Sequence, residues 1–291
     1  MRRLICLVLC LMLVLSVGLA EEPASFFEEA EAQKLGKITR TYDSPTLKYT
    51  VDKFLLDREI AYLTRVWVQD PVRQIRKATS SWKQNVKQPE KLIAKIDGAA
   101  LAINGSGFVS PTYPWIPEDY PGKNEDYYYT PLGSITVTDG DVLRNLDGVA
   151  YYGLTLDEDG LQMYVNANNR DVLETNPVQT WSFYVGCPTL RNNEDILPAE
   201  WEFADRHASR TMIGRIDRNN YVILTVTKER GKGITLRRGA AFFQEHFNTE
   251  WVYNLDGGNS IALLSRKRGK RKLVTVASGG ASIADIMGFT E

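Results

Sequence analysis

Residues 251–260 read W-V-Y-N-L-D-G-G-N-S, an apolar run that stops abruptly at an acid, two glycines and two small polar residues. The run is long enough for a buried strand, and Asp-Gly at its end predicts a tight turn, because glycine reaches positive φ without a Cβ clash. Asn254 and Asp256 stand two apart just before the turn. The stretch therefore predicts a strand whose end presents an acid.

The same pattern repeats upstream. T-L-K-Y-T-V-D-K-F from Thr46 and I-A-Y-L-T-R-V-W-V from Ile60 alternate as strands, and A-A-L-A-I-N runs apolar up to Asn104-Gly105. S-I-T-V-T-D-G-D-V-L-R, G-V-A-Y-Y-G-L-T-L-D-E-D-G-L-Q-M-Y-V and T-W-S-F-Y-V-G-C-P-T-L-R are short segments broken by Asp-Gly turns, as antiparallel hairpins are. R-T-M-I-G-R-I-D and Y-V-I-L-T-V-T add two more strands. Helices are fewer: one entered at Pro89 within residues 83–97, and one through L-R-R-G-A-A-F-F-Q-E-H-F. Strand segments outnumber helices with no repeat or linker between them, so an α+β domain with a mixed, strand-rich sheet and a few packing helices is expected over residues 45–291.

The N-terminus is different in kind. Met1-Arg2-Arg3 precedes an apolar run that closes on Gly18 and Ala20, the pattern of a secretory signal peptide over residues 1–20. Residues 21–44 form an extension in which E-P-A-S-F-F-E-E-A-E-A-Q-K-L-G carries a helix-like pattern ending on Gly36. With the leader gone, Cys187 is the one cysteine left, so the core and no internal disulfide holds the fold. Losing Arg2 and Arg3 takes the basic count from 35 to 33 against 36 acids. That balance argues against nucleic acid as a partner, and no membrane insertion is expected after cleavage. The expected localisation is secreted or extracytoplasmic.

Several chemistries are absent. The chain has no G-x-S-x-G, H-E-x-x-H, phosphate loop or dinucleotide fingerprint. Its two histidines, His207 and His246, stand far apart, and D-E-D-G at 157–160 lacks the later ligands of a calcium loop, so neither a cofactor nor a metal is expected. Catalysis then falls to Asp, Glu, Asn, Arg and backbone N–H groups. Between Pro111 and Pro131 the chain is crowded with Tyr and Pro, the composition of a loop that covers or lines a site.

Five segments in order carry a resemblance: A-I-N-G-S-G-F (102–108), V-T-D-G-D-V (137–142), V-G-C-P-T-L-R-N-N-E (185–194), S-R-T-M-I-G (209–214) and N-L-D-G-G-N-S (254–260). In this the chain resembles the phosphodiester glycosidases, hydrolases that cleave a sugar's anomeric carbon from a phosphodiester oxygen. The resemblance implies Asp256, Arg210 and Asn104 as catalytic candidates, with Gly105, Asn254, Gly257, Gly258 and Ser260 binding substrate. It departs from the family pattern at Asn259, where a third glycine is usual, and at Gly107. A sugar phosphate or polysaccharide is the implied partner, in an envelope or exopolysaccharide polymer. The residue types suit that chemistry: an acid for the oxocarbenium-like carbon, an Arg fork for phosphate oxygens, and glycines that let the backbone approach. The other reading is a non-catalytic carbohydrate-binding or envelope-structural protein on the same fold.

Overall fold

A computed structural model of the chain describes residues 27, 35–80, 87–109, 130–131, 133–146, 148–182, 188–267, 270 and 272–291. Contacts divide the chain into residues 1–34 and 35–291. Within the first unit only Phe27 is described, and it is helical. The expected signal peptide, most of the helix-like stretch, Cys187 and the aromatic stretch 110–129 lie outside the described residues.

The second unit is a strand-rich α+β domain with three antiparallel sheets and short helices, as expected. The first sheet orders its strands Lys37–Asp43, Leu47–Leu56, Glu59–Val68, Asn220–Val226, Arg210–Arg215, Trp251–Asn254, Pro188–Arg191 and Glu194–Asp195. The last part of the 21–44 extension is thus an edge strand paired with Leu47–Leu56. Glu59–Val68 and Asn220–Val226 are buried almost throughout, because each has a hydrogen-bonded strand on both sides and side chains packed on both faces. The helix Leu236–His246 packs Phe242 and Phe243 against the sheet and is capped by the Thr235 hydroxyl, which accepts from the Arg238 N–H at 3.0 Å.

The second sheet runs Gly160–Ala167, Tyr151–Asp157, Gln179–Ser182, Ile135–Thr138 and Asp141–Asn145. Here the turn signals are literal: Thr138 pairs with Asp141 around Asp139-Gly140, both at positive φ.

The third sheet runs Leu273–Ser278, Ala262–Arg266, Ala99–Asn104, Asp285–Thr290 and Ile75–Thr79. Ala99–Asn104 lies at its centre with every residue buried. A small fourth pairing joins Val109 with Thr130 and Phe108 with Pro131.

Candidate active site

Asn254 ends its strand in the first sheet opposite Met212. The chain then crosses to the third sheet. Leu255 N–H donates to the Thr211 carbonyl at 2.9 Å, Asp256 N–H to the Gly105 carbonyl at 3.1 Å, and Gly258 N–H back to the Ser209 carbonyl at 2.9 Å. Asp256 therefore sits where two sheets are stitched together. Gly258 holds φ at +61° with open space around its missing side chain, so conformation alone calls for glycine there. Ser260 N–H closes the turn onto the Gly257 carbonyl at 3.0 Å.

Asn104 is the stitch. Its Nδ2 donates to the Asp256 carbonyl at 2.8 Å, while its Oδ1 accepts from the Thr211 hydroxyl at 2.8 Å and the Ala262 N–H at 2.9 Å. The side chain is fully buried and joins three segments. Asn254 is buried as well: its Nδ2 donates to the Leu255 carbonyl at 2.7 Å, and its Oδ1 has no hydrogen-bond partner among the described residues. Such an atom costs about 1–3 kcal/mol unless something completes it.

The Asp256 carboxyl keeps its side chain partly open while protein surrounds it. Burial pushes its pKa up to about 7; the Ser260 hydroxyl and the Gly257 N–H oppose the rise, as does the Arg210 charge, while the Asp285 charge adds to it. Gly257 N–H reaches Oδ1 at 2.8 Å. A carboxyl poised near neutrality can take or give a proton at physiological pH. Arg210 enters its strand beside this turn: a Cβ on Gly257 would lie 3.8 Å from its Cδ. Its guanidinium is aimed by the carbonyls of Arg206 at 2.6 Å and Ile234 at 3.4 Å, and it stacks 5.1 Å from the Phe203 ring.

Asp256, Arg210, Gly257, Gly258 and Ser260 are thus brought together, with Asn104 and Gly105 directly beneath them. Gly105 meets a different neighbour from the one its motif suggests, since a Cβ there would run into the Asp285 carboxylate and come within 2.9 Å of Trp181. Asn259 departs from the family pattern on the outside of the turn, where its carbonyl accepts the Ala281 N–H at 3.0 Å. Gly107 N–H donates to the Ser182 carbonyl at 3.0 Å. His207 is exposed and bonded to the Gly233 carbonyl, and His246 packs 4.7 Å from Phe242.

Sequence reasoning did not find Lys77, Ser106, Thr211 or Asp285. Ser106 and Thr211 lie inside quoted motifs and had a signal; Lys77 in I-R-K-A-T and Asp285 in I-A-D-I-M had none. A cavity of about 980 Å³ lies elsewhere: Asn145, Asn166, Asn168, Arg170 and Asn176 help line it, and no residue of the Asp256 turn does. Its walls come from the helix Asn169–Glu174, the ends of the strands Asp141–Asn145 and Gly160–Ala167 and the turns beside them. Among the described residues, no group of three His, Cys, Asp or Glu side chains could hold a metal, and no helix is long and apolar enough to cross a membrane.

The match of the sequence to a family gives the class, a hydrolase of phosphodiester-linked sugars. Over residues 97–290 the chain matches the family model for phosphodiester glycosidases, and it belongs to that family. Among solved structures it is similar to the zebrafish N-acetylglucosamine-1-phosphodiester alpha-N-acetylglucosaminidase catalytic domain, auto-inhibited by its pro-peptide. That likeness has a TM-score of 0.62 at 18% identity, covering 86% of this chain and 85% of that one. A hypothetical protein from Synechocystis is similar with a TM-score of 0.54 at 13% identity, covering 88% of this chain and 64% of that one. No protein with a curated description matches.

Proposed function

We propose that this chain is an extracytoplasmic glycosidase that hydrolyses a sugar 1-phosphodiester, breaking the bond from the anomeric carbon to the phosphate oxygen in an envelope or exopolysaccharide polymer. The observation that carries the reading is Asp256: an acid on a two-sheet junction, its pKa pushed up to about 7, with Arg210 beside the same turn. Water supplies the new oxygen at the anomeric carbon. Ionised Asp256 takes the water's proton, and its charge stabilises the oxocarbenium-like carbon. The phosphate leaves as a phosphomonoester and asks for little protonation, so a cationic fork suffices. Arg210 supplies that fork, and Gly257 and Gly258 let the backbone come close to the phosphate oxygens. Asn104 holds the Asp256 peptide in place.

The polymer context rests on the leader-like residues 1–20. Incubating the protein with a panel of sugar 1-phosphodiesters in ¹⁸O-water and weighing the products tests the reaction. Label in the released sugar is the expected result. Label in the phosphate would mean P–O cleavage, and no turnover of any substrate would leave a binding protein.

A further inference from the structure

Beneath the Asp256 turn lies a second acid. Asp285 opens the strand Asp285–Thr290 with no exposed surface. Its carbonyl accepts the Gly105 N–H at 3.2 Å, and its Oδ1 accepts the Ser106 N–H at 2.6 Å. Gly105 in turn accepts the Asp256 N–H through its own carbonyl. One peptide segment therefore separates the two acids. The Ser106 hydroxyl accepts the Ser182 N–H at 3.1 Å, which pins the same segment to the second sheet. On its other side Asp285 Oδ2 faces Lys77 Nζ at 3.4 Å and has no hydrogen bond among the described residues. Lys77 is buried too and donates to the Thr180 carbonyl.

Packing alone does not call for this arrangement, because two well-fitted apolar side chains usually stabilise such a position as well as a buried ion pair does. The contacts of Asp285 run to the peptide that carries the site. We propose that Asp285, held in place by Lys77, is a positioning residue for Asp256: it fixes the Gly105–Ser106 segment from which the Asp256 backbone hangs and sets a second negative charge close to its carboxyl. The proposal rests on Asp256 being the reacting group. The charged groups facing that carboxyl are Asp285, which raises its proton affinity, and Arg210, which lowers it; the Ser260 hydroxyl and Gly257 N–H also favour the ionised form. Around Asp285 itself stand Lys77, whose proton affinity burial lowers and Asp285 raises, and the buried Tyr151 phenol, which burial pushes up with a smaller push from the Asp285 charge.

The test is a pH titration of ¹³C-carboxyl-labelled aspartates by NMR, with the Asp256 signal assigned from Asp256→Asn. It compares the wild type with Lys77→Met/Asp285→Asn, which removes both charges and leaves an acceptor for the Ser106 N–H. Removing a nearby like charge lets a carboxyl ionise more easily, so the Asp256 midpoint is expected to fall by about one pH unit. The acidic limb of kcat/KM should move down with it. Asp285→Asn alone gives the same reading if the double variant does not fold. A midpoint that stays put in a folded variant overturns the proposal. So does failure of both variants to fold, since such a residue serves the whole fold and not the site. The titration needs no substrate, which separates the two readings: a moved midpoint without turnover in the wild type sinks the reaction and keeps the positioning role, and an unmoved midpoint with normal turnover does the reverse.

Discussion

Two ion pairs with both partners buried occur among the described residues, and they live in different surroundings. Arg65 Nη1 meets Asp52 Oδ2 at 2.8 Å across the hairpin Leu47–Leu56/Glu59–Val68, with both side chains 2% exposed. Lys77 meets Asp285 across neighbouring strands of the third sheet. The first pair packs under Phe247, 5.8 Å from the Arg65 guanidinium. Its strands hold no residue of the Asp256 turn. The second pair touches the peptide on which that turn hangs. Similar chemistry in similar burial can therefore serve stability in one place and a site in another, and only the neighbours tell them apart.

The largest effect that would sharpen this contrast is at the acid itself. Asp256→Asn preserves the turn's shape while removing the base and the charge, so turnover of a sugar 1-phosphodiester should fall about a thousandfold or more, roughly 4 kcal/mol in the barrier. Circular dichroism and the melting temperature should stay near wild type. Residual activity within about tenfold of wild type would remove Asp256 from the mechanism.

Asp52→Asn is the opposite kind of change. It removes the Asp52 charge from the buried Arg65, and breaking such a pair costs about 3 kcal/mol of folding stability. At a temperature where the variant is folded, kcat/KM and its pH profile should match wild type. A shifted profile would break the comparison, because it would mean the hairpin pair reaches the site too.

Smaller again is Arg210→Lys. Lysine keeps the charge and loses the planar fork, so kcat/KM on a sugar 1-phosphodiester should drop by about 2 kcal/mol. An aryl glycoside without phosphate, measured on both proteins, should lose much less. Equal losses on both substrates would show that Arg210, stacked on Phe203 and bonded to two carbonyls, supports structure and does not read phosphate.

The contrast also explains what the sequence could and could not disclose. Strands and turns were legible where the signal is local: Asp139-Gly140 turns where Asp-Gly says it should, and the strands at 47–56, 59–68, 99–104, 210–215 and 220–226 follow apolar runs or alternation. Most of the site was legible for a related reason, since Asn254, Asp256, Gly257, Gly258 and Ser260 fall in one short stretch. Partners distant along the chain were not. Asp285 reaches Ser106 across 179 residues, and nothing near either position encodes that meeting. The strands Ala262–Arg266, Leu273–Ser278 and Asp285–Thr290 went unread. Gly105 was read as room for a phosphate, while the structure fills that room with Asp285 and Trp181. A glycine reports that something comes close without saying what.

The smallest expected effect lies in stability rather than rate. Burial is the main reason the Asp256 carboxyl is pushed up to about 7, so the native chain holds a proton that the unfolded chain releases near about pH 4. The folded-state pKa is raised, so this contribution is fully present below about pH 4 and is lost as pH rises through about 7. Converted without discount, three pH units correspond to about 4 kcal/mol, but water reaches the partly open side chain and screens it, leaving about 1–2 kcal/mol. Urea unfolding at about pH 4.5 and about pH 7.5 measures it, provided Asp256→Asn is run in parallel to subtract every other titrating group. Wild type should lose more stability than the variant between the two conditions. If the two proteins decline by the same amount, Asp256 does not hold a raised pKa. The pH dependence of turnover would then have to come from another group.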